Sequence, residues 1–226
     1  MSYKYMSSAS REVGIRLLAK EFIDIIQERL LTSDAVNILM SGGNTPLSLY
    51  KELLKSYSDF SWSKCRFIMV DERYVPFESS RSNAGMCYRH FGKHVNLLDF
   101  IYPDTSLPIE KCVDYFVKRV KSVDMKAIDI ALLGTAKDGH IASIFPNSQP
   151  FFESGISFAC YASEGQEKRV SLTLDYINKS DKIWMMAFGK EKQDILKRAQ
   201  NNERNSLPAL CLNDECDVTW FTSEVR

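Results

Sequence analysis

The amino-acid sequence predicts an α/β fold in which a mostly parallel sheet is covered by helices on both faces, a three-layer, Rossmann-like arrangement. Two observations carry this prediction: several short segments are apolar at every position, and segments with helical spacing of apolar residues separate them. Strands that are apolar on both faces are typical of parallel sheets buried between helices. The chain has 226 residues, so we expect residues 1–226 to form a single domain.

Helices and strands alternate along the first half of the chain. Apolar residues recur at three- and four-residue intervals over residues 10–31, which predicts an amphipathic helix as the only element before the first strand. Pro46 opens a second helix, because proline is favoured in the first turn. Strands are predicted over residues 35–40, 65–70 and 128–133, and further helices over 82–91 and 110–123.

The second half continues the same alternation. Strands are predicted over residues 155–161, 169–174, 182–188 and 217–221, and a helix over 190–199.

Composition excludes several classes of protein. Lysine plus arginine equals aspartate plus glutamate, 29 each, so no net charge draws the chain to nucleic acid or to an anionic membrane. No apolar run approaches the roughly 20 residues of a spanning helix, and the first residues lack a signal-peptide pattern. None of the six cysteines forms a Cys-x-x-Cys pair, so we expect buried thiols and a reducing, cytoplasmic setting.

Polar residues and glycines follow three of the predicted strands. They are Ser-Gly-Gly-Asn-Thr-Pro at 41–46, Asp-Glu-Arg at 71–73 and Gly-Thr-Ala-Lys-Asp-Gly-His at 134–140. Ligands bind at the carboxyl ends of the strands in open parallel sheets. The three segments therefore predict one binding site at that edge.

The segment 41–46 has the features of a phosphate cradle. Gly42 and Gly43 let the backbone approach a ligand, the following helix offers free N–H groups, and Ser41 and Thr45 add hydroxyls. It matches neither the dinucleotide nor the nucleoside-triphosphate glycine pattern. A strand-to-helix turn without a ligand is the alternative.

His140 is the candidate acid–base residue, because a histidine exchanges a proton near neutral pH and Asp138 can orient it. An aspartate helix cap followed by a surface histidine is the alternative. His90 and His94 have a metal-binding spacing, but Gly92 weakens the helix and no third ligand is evident, so we expect a solvent-exposed helix end and no metal.

Three cations occur at the ends of predicted elements, Arg73, Arg169 and Lys192. Taken individually, each is best interpreted as a surface charge. Taken together with the glycine segment, the three cations would suit the binding of a sugar phosphate.

At this point the residues resemble a known family, the 6-phosphogluconolactonases. The matching segments lie at residues 39–46, 70–76 with 82–83, 132–146, 169–174, 189–192, 207–209 and 218–220. They appear in the family's order along nearly the whole chain, and Asp-Gly-His-x-x-Ser-x-Phe-Pro at 138–146 is the most specific.

The related glucosamine-6-phosphate deaminases resemble the chain less. They have Asp-Glu-Tyr where Arg73 stands here, and an acidic residue in the segment where this chain has Phe145 and Pro146. The chain departs from the lactonases at Ala136, where the family has glycine or proline. Alanine tolerates positive φ poorly, so we expect a differently shaped loop.

The resemblance implies hydrolysis of 6-phospho-D-glucono-1,5-lactone without a metal or organic cofactor. It implies that His140 is the general base, that Asp138 orients it, and that Arg169 or backbone N–H groups near Gly43 stabilise the oxyanion. The implied substrate- and phosphate-binding set is Ser41, Gly42, Gly43, Thr45, Asp71, Arg73, Arg169 and Lys192.

Two alternatives stay open, an amino-sugar-phosphate deaminase or isomerase and a sugar-phosphate sensor of the kind found in transcription regulators. A sensor needs a DNA-binding module, and only about 33 residues without a basic patch precede the first strand. The expected partner is the small-molecule lactone, with no nucleic acid or membrane, and the expected state is a monomer or a weak homo-oligomer.

Overall fold

The computed structural model describes residues 3–123, 128–146, 148, 155–161, 167–201, 203, 207–212 and 216–223. The strands are β1 (Lys4–Ser8), β2 (Val36–Met40), β3 (Cys65–Met69), β4 (Asp71–Arg73), β5 (Asp99–Ile101), β6 (Ile128–Gly134), β7 (Ser157–Tyr161), β8 (Lys168–Leu172), β9 (Ser180–Ala187) and β10 (Asp217–Ser223). The helices are α1 (Arg11–Arg29), α2 (Asn44–Ser56), α3 (Asn83–His90), α4 (Ile109–Lys121), α5 (Leu174–Ile177) and α6 (Gln193–Gln200).

The central sheet has seven strands in the order β1-β10-β9-β6-β2-β3-β5, and every neighbouring pair is parallel. Alternate side chains of one strand enter different cores: Ile38 and Met40 of β2 pack with α1 and α2, whereas Leu39 packs with α4 and α6. Because both faces of β2 are buried, four of its five residues are apolar; Asn37 is the exception, and its side-chain oxygen accepts from Nη1 of Arg66 at 2.7 Å. The three-layer α/β prediction is confirmed.

A second sheet lies outside the central one. It is antiparallel, has the order β4-β8-β7, and pairs Asp71 with Ser171 and Arg73 with Arg169. The sequence analysis did not separate β7 and β8 from the main sheet, and it treated residues 71–73 only as a strand end. β7 and β8 are neighbours along the chain, but β4 pairs with β8 about a hundred residues later, and a three-residue strand gives no local signal of so distant a partner.

Several predicted boundaries need correction. The expectation of a helix alone before residue 35 is wrong, because β1 precedes it and pairs with β10. β5 and the short helix α5 were not predicted. The helix over 190–199 begins as a 3₁₀ turn, Lys190–Lys192, and continues as α6. β1 and β5 are edge strands of the sheet, and their mixed polar sequences lack the apolar run of the central strands.

Candidate active site

A cleft of about 340 Å³ opens at the carboxyl ends of β2, β3 and β6, which are neighbours in the central sheet. The three predicted polar segments meet there. Nine of the ten predicted site residues line it: Ser41, Gly42, Gly43, Thr45, Asp71, Arg73, His140, Arg169 and Lys192. The tenth, Asp138, contacts His140. We call this site the cleft.

The glycine loop, residues 41–43, joins β2 to α2 and forms one wall of the cleft. A Cβ at Gly42 would lie closer than 3.0 Å to three atoms of the Asn83 side chain, so only glycine fits the approach of α3. Gly43 has φ 102° and ψ 176°, a conformation that favours glycine, and it directs the chain into α2. Asn44 and Thr45, the first two residues of α2, line the cleft, and N–H groups in a first helical turn have no partner within the helix.

The Ser41 hydroxyl lies at the cleft wall, but it already donates its proton in a hydrogen bond to the backbone. It donates to the backbone oxygen of Leu132 at 2.9 Å, which ties β2 to β6, and the Ser41 carbonyl accepts from the hydroxyl of Tyr50 at 2.6 Å. Thr45 is the other hydroxyl of this segment in the cleft. Ser41 thus shapes the loop, and its oxygen can only accept from a further group.

His140 is held by the loop that follows β6. Its Nδ1 lies 2.8 Å from Oδ1 of Asp138, and its backbone N–H donates to the same oxygen at 3.2 Å. The Thr135 hydroxyl donates to the His140 carbonyl at 3.0 Å. An imidazole that donates from Nδ1 carries its lone pair on Nε2, so the ring can accept a proton in the cleft.

The loop does not need positive φ at Ala136. The positive φ values here occur at Gly139, 80°, and at Ala142, 48°. Ala136 is therefore free of the strain that a positive φ would impose on alanine. The non-glycine residue with a left-handed conformation is Ala142, which follows His140.

Arg169 reaches the cleft from β8 and is paired with Asp71. Its Nη1 lies 3.6 Å from Oδ2 of Asp71, and the Ser143 hydroxyl donates to the same carboxylate oxygen at 2.6 Å. The Asn83 amide donates to Oδ1 at 3.2 Å. Asp71 is only 4% exposed, so its role in the cleft is to hold the positions of these three side chains.

Phe145 lies between the histidine and the arginine. Its ring centroid is 4.7 Å from that of His140, and the Arg169 guanidinium carbon is 5.7 Å from the same centroid. The ring keeps one side of the imidazole apolar and brings the cation near it. Phe145 is a site residue that the sequence analysis used only to discriminate between families.

Glu72 fastens the strand that carries Arg73 to the start of α3. Its carboxylate accepts from the backbone N–H groups of Asn83 and Ala84, both at 2.7 Å, from the Ser82 hydroxyl at 2.9 Å and from the Arg73 N–H at 2.8 Å. Burial raises the pKa of Glu72 to about 7, against these hydrogen bonds, which lower it. Sequence reasoning missed this role, because nothing in Asp-Glu-Arg distinguishes an inward carboxylate.

Arg73 is oriented by contacts on its outer side. Nη1 donates to the carbonyl of Arg81 at 2.7 Å, and Nε lies 3.7 Å from a Glu167 carboxylate oxygen. Lys192 follows β9, and burial lowers its pKa while the nearby charges of Glu191 and Asp138 oppose the shift. Two cations thus enter the cleft from different strands.

Comparison with known proteins places this geometry in a family. The family model described as glucosamine-6-phosphate isomerases/6-phosphogluconolactonase matches residues 9–220. The chain belongs to this family. A protein named 6-phosphogluconolactonase from Thermotoga maritima is 29% identical, over 93% of this chain and 98% of its own.

Solved structures agree with the fold of this family. The crystal structure of 6-phosphogluconolactonase from Thermotoga maritima has a TM-score of 0.88 at 26% identity and covers 99% of this chain and 100% of its own. A monomeric glucosamine-6-phosphate deaminase has a TM-score of 0.86 at 19% identity, covering 98% and 97%. Both branches of the family share the fold, so the side chains in the cleft must decide between them.

The remaining candidates lie away from the cleft or add to it. His90 and His94 are both exposed, at the end of α3 and in the turn after it. Among the described residues, no three His, Cys, Asp or Glu side chains come together as a metal site requires. No described helix has the length and apolar character of a membrane span. Arg11, which the sequence analysis did not select, lines the cleft with the predicted residues.

Proposed function

We propose that this protein hydrolyses 6-phospho-D-glucono-1,5-lactone to 6-phospho-D-gluconate, a step of the oxidative pentose phosphate pathway. The observation that carries the proposal is the 2.8 Å contact between Asp138 and Nδ1 of His140 at a cleft lined by cations. The relatives named 6-phosphogluconolactonase support the same substrate. A lactone is an activated ester, so one base and a positioned water are enough to open it.

In the proposed mechanism, Nε2 of His140 takes a proton from a water molecule as the water oxygen attacks C1 of the lactone. The carbonyl oxygen becomes an oxyanion in a tetrahedral intermediate. The intermediate collapses, the bond between C1 and the ring oxygen breaks, and the imidazolium returns its proton to that oxygen. The carboxylate of Asp138 stabilises the imidazolium in between. General acid–base catalysis of this kind contributes about 10²–10⁴-fold.

Arg169 is the proposed oxyanion donor, with backbone N–H groups near Gly43 as the alternative. Its pairing with Asp71 and its contact with Phe145 keep the guanidinium in place before substrate arrives. Fixed donors aimed at a developing charge cost no reorganisation during the reaction.

The proposed phosphate site combines the first N–H groups of α2 with Thr45, Arg73 and Lys192. Arginine can pair with two phosphate oxygens and lysine contributes a point charge. Asp71 acts within this set by orienting Arg169.

A deaminase reaction is less well supported by the same cleft. In the deaminases an acidic residue occupies the segment after Asp-Gly-His, whereas here Phe145 packs against the imidazole at 4.7 Å. Arg73 likewise stands where the deaminases have tyrosine. The histidine therefore has one carboxylate partner, Asp138, among the described residues.

We further propose that residues 1–226 act as one domain in the cytoplasm, as a monomer or a weak homo-oligomer. Cys65, Cys87, Cys112 and Cys160 are free, buried thiols, which suits a reducing compartment.

The test is the rate of opening of freshly generated 6-phosphogluconolactone, corrected for spontaneous hydrolysis, with ammonia release from glucosamine 6-phosphate measured in parallel. We expect acceleration on the lactone alone, and a loss of about 10²–10⁴-fold in kcat for His140→Ala. His90→Ala, an exposed histidine, is the matched control. Ammonia release, or near-normal turnover of His140→Ala, would contradict the proposal.

A further inference from the structure

Arg11 is a cation of the cleft that none of the family-like segments contains. It is the first residue of α1, and its side chain crosses to α2: Nη2 lies 3.4 Å from the carbonyl oxygen of Asn44 and 3.3 Å from the hydroxyl of Ser48. Asn44 is the first residue of α2, directly after the glycine loop. The guanidinium therefore sits beside the first turn of α2, which lines the cleft.

A bound anion would stabilise Arg11 in this position. A helix N-terminus carries a partial positive charge, and a cation there destabilises the helix. Arg11 begins α1 and also approaches the first turn of α2, which has no acidic residue. Glu12 is in the first turn of α1, but it is exposed and makes no ion pair with Arg11 among the described residues.

The four cations of the cleft differ in their partners. Arg73 and Arg169 each have a carboxylate within 4.0 Å, from Glu167 and Asp71 respectively. In the described part of the chain, Arg11 and Lys192 have none at that distance. Both cations lie at the cleft with the glycine loop, so a bound anion would interact favourably with both, in addition to the charges of Glu191 and Asp138 that act on Lys192.

We propose that Arg11, together with Lys192, binds the phosphate of the substrate against the first turn of α2 and thereby sets the preference for phosphorylated over unphosphorylated lactones. The inference rests on the proposed function and assigns its phosphate site a residue from α1. The Ser48 and Asn44 contacts hold Arg11 close to its bound position. The Nε and Nη1 hydrogens make no hydrogen bond among the described residues and are available as charged donors to phosphate oxygens.

The test compares 6-phosphogluconolactone with unphosphorylated glucono-1,5-lactone. For Arg11→Ala we expect the ratio of kcat/KM between the two substrates to fall by on the order of 10-fold, the loss of one charge-assisted contact. Arg11→Lys keeps the charge without the planar set of guanidinium donors, and its ratio should lie between those of the wild type and Arg11→Ala. Arg16→Ala, an exposed arginine farther along α1, is the matched control and should leave the ratio unchanged.

A second readout does not depend on catalysis. Calorimetric titration with 6-phosphogluconate and with gluconate should show that Arg11→Ala weakens the first Kd by about 10-fold relative to the second, at an unchanged Tm. An unchanged ratio and Kd, or equal losses with both substrates, would overturn the role of Arg11. A wild type that binds 6-phosphogluconate but opens neither lactone would overturn the proposed reaction. The calorimetric comparison would then still decide whether Arg11 binds the phosphate. Absence of binding would overturn both.

Discussion

The glycine loop offers a quantitative test of how the cleft is built, because three glycines line it for different reasons. A methyl group at Gly42 would overlap the Asn83 side chain, which must then move. Overpacking of this kind costs about 1–3 kcal/mol. Movement of Asn83 also breaks its two hydrogen bonds to Asp71, each contributing about 0.5–1.5 kcal/mol. Gly42→Ala is therefore expected to destabilise the fold by about 2–6 kcal/mol.

Two neighbouring substitutions serve as graded controls. Gly43→Ala meets no atom within 4 Å, but φ 102° is strained for alanine, so we expect a cost of about 1–3 kcal/mol. Gly134 lies at the end of β6 with no positive φ and no atom within 4 Å of a Cβ. Gly134→Ala should change the free energy of unfolding by no more than about 0.5 kcal/mol.

The measurement is thermal and urea unfolding of the three variants beside the wild type. At about 2–4 °C per kcal/mol for a chain of this length, Gly42→Ala should lower Tm by at least about 4 °C. The decisive step repeats Gly42→Ala in an Asn83→Gly background, where the overlapping side chain is gone. The cost should shrink by about 1 kcal/mol or more. An equal cost in both backgrounds, or an equally large effect of Gly134→Ala, would refute the steric explanation.

Three further predictions concern charged groups. Arg73→Ala should raise KM for the phosphorylated lactone by on the order of 10-fold, with a smaller effect on kcat, because it removes a phosphate contact; an unchanged KM would exclude it from the phosphate site. Asp138→Asn should lower kcat by on the order of 10-fold or more at an unchanged Tm, since Asp138 is exposed; unchanged kcat would mean that the carboxylate does not assist His140. Burial opposes ionisation of Asp217, but hydrogen bonds from Lys4 and Lys182 outweigh it and hold its pKa below its ordinary value. The ionised carboxylate stabilises the fold by roughly 0.5–1 kcal/mol at neutral pH, and this stabilisation is lost as the pH falls through the lowered pKa. The difference in unfolding free energy between wild type and Asp217→Asn should therefore vanish in acid. A difference that persists in acid would contradict the ion pairs.

The central strands could be predicted from sequence because their environment leaves a local signal. β2, β3, β6 and β9 are buried between helices, so most of their residues are apolar, and polar residues or glycine follow where each ends. The convergence of those ends at one cleft then follows from parallel topology alone. This is why the residues that follow the central strands line the cleft, whereas Arg169 enters it from β8 of the antiparallel sheet, which parallel topology does not predict.

The features that sequence reasoning missed depend on distant partners. β1 is a strand only because β10, more than two hundred residues later, offers an edge to pair with. Glu72 and Arg73 are adjacent, yet the Glu72 carboxylate turns inward to the start of α3, whereas the Arg73 side chain enters the cleft. Arg11 is the first residue of α1. The apolar spacing of α1 predicts which face of the helix is buried, but it does not predict that the Arg11 side chain contacts α2. In each case the residue type is ordinary and the fold supplies the role.

Because lactonases and deaminases share one fold, the difference between their reactions must come from side chains in the cleft, including those around His140. In this chain the strand ends, the glycine loop and the Asp138–His140 pair place an imidazole at the cleft. In this chain Phe145 fills the space beside the imidazole and Arg169 approaches the same ring from β8. An apolar ring leaves the histidine with a single carboxylate partner among the described residues, and an adjacent guanidinium favours a developing oxyanion. That combination suits ester opening by water, whereas the other carboxylates that line the cleft, Asp71 and Glu191, form no ion pair with the imidazole among the described residues.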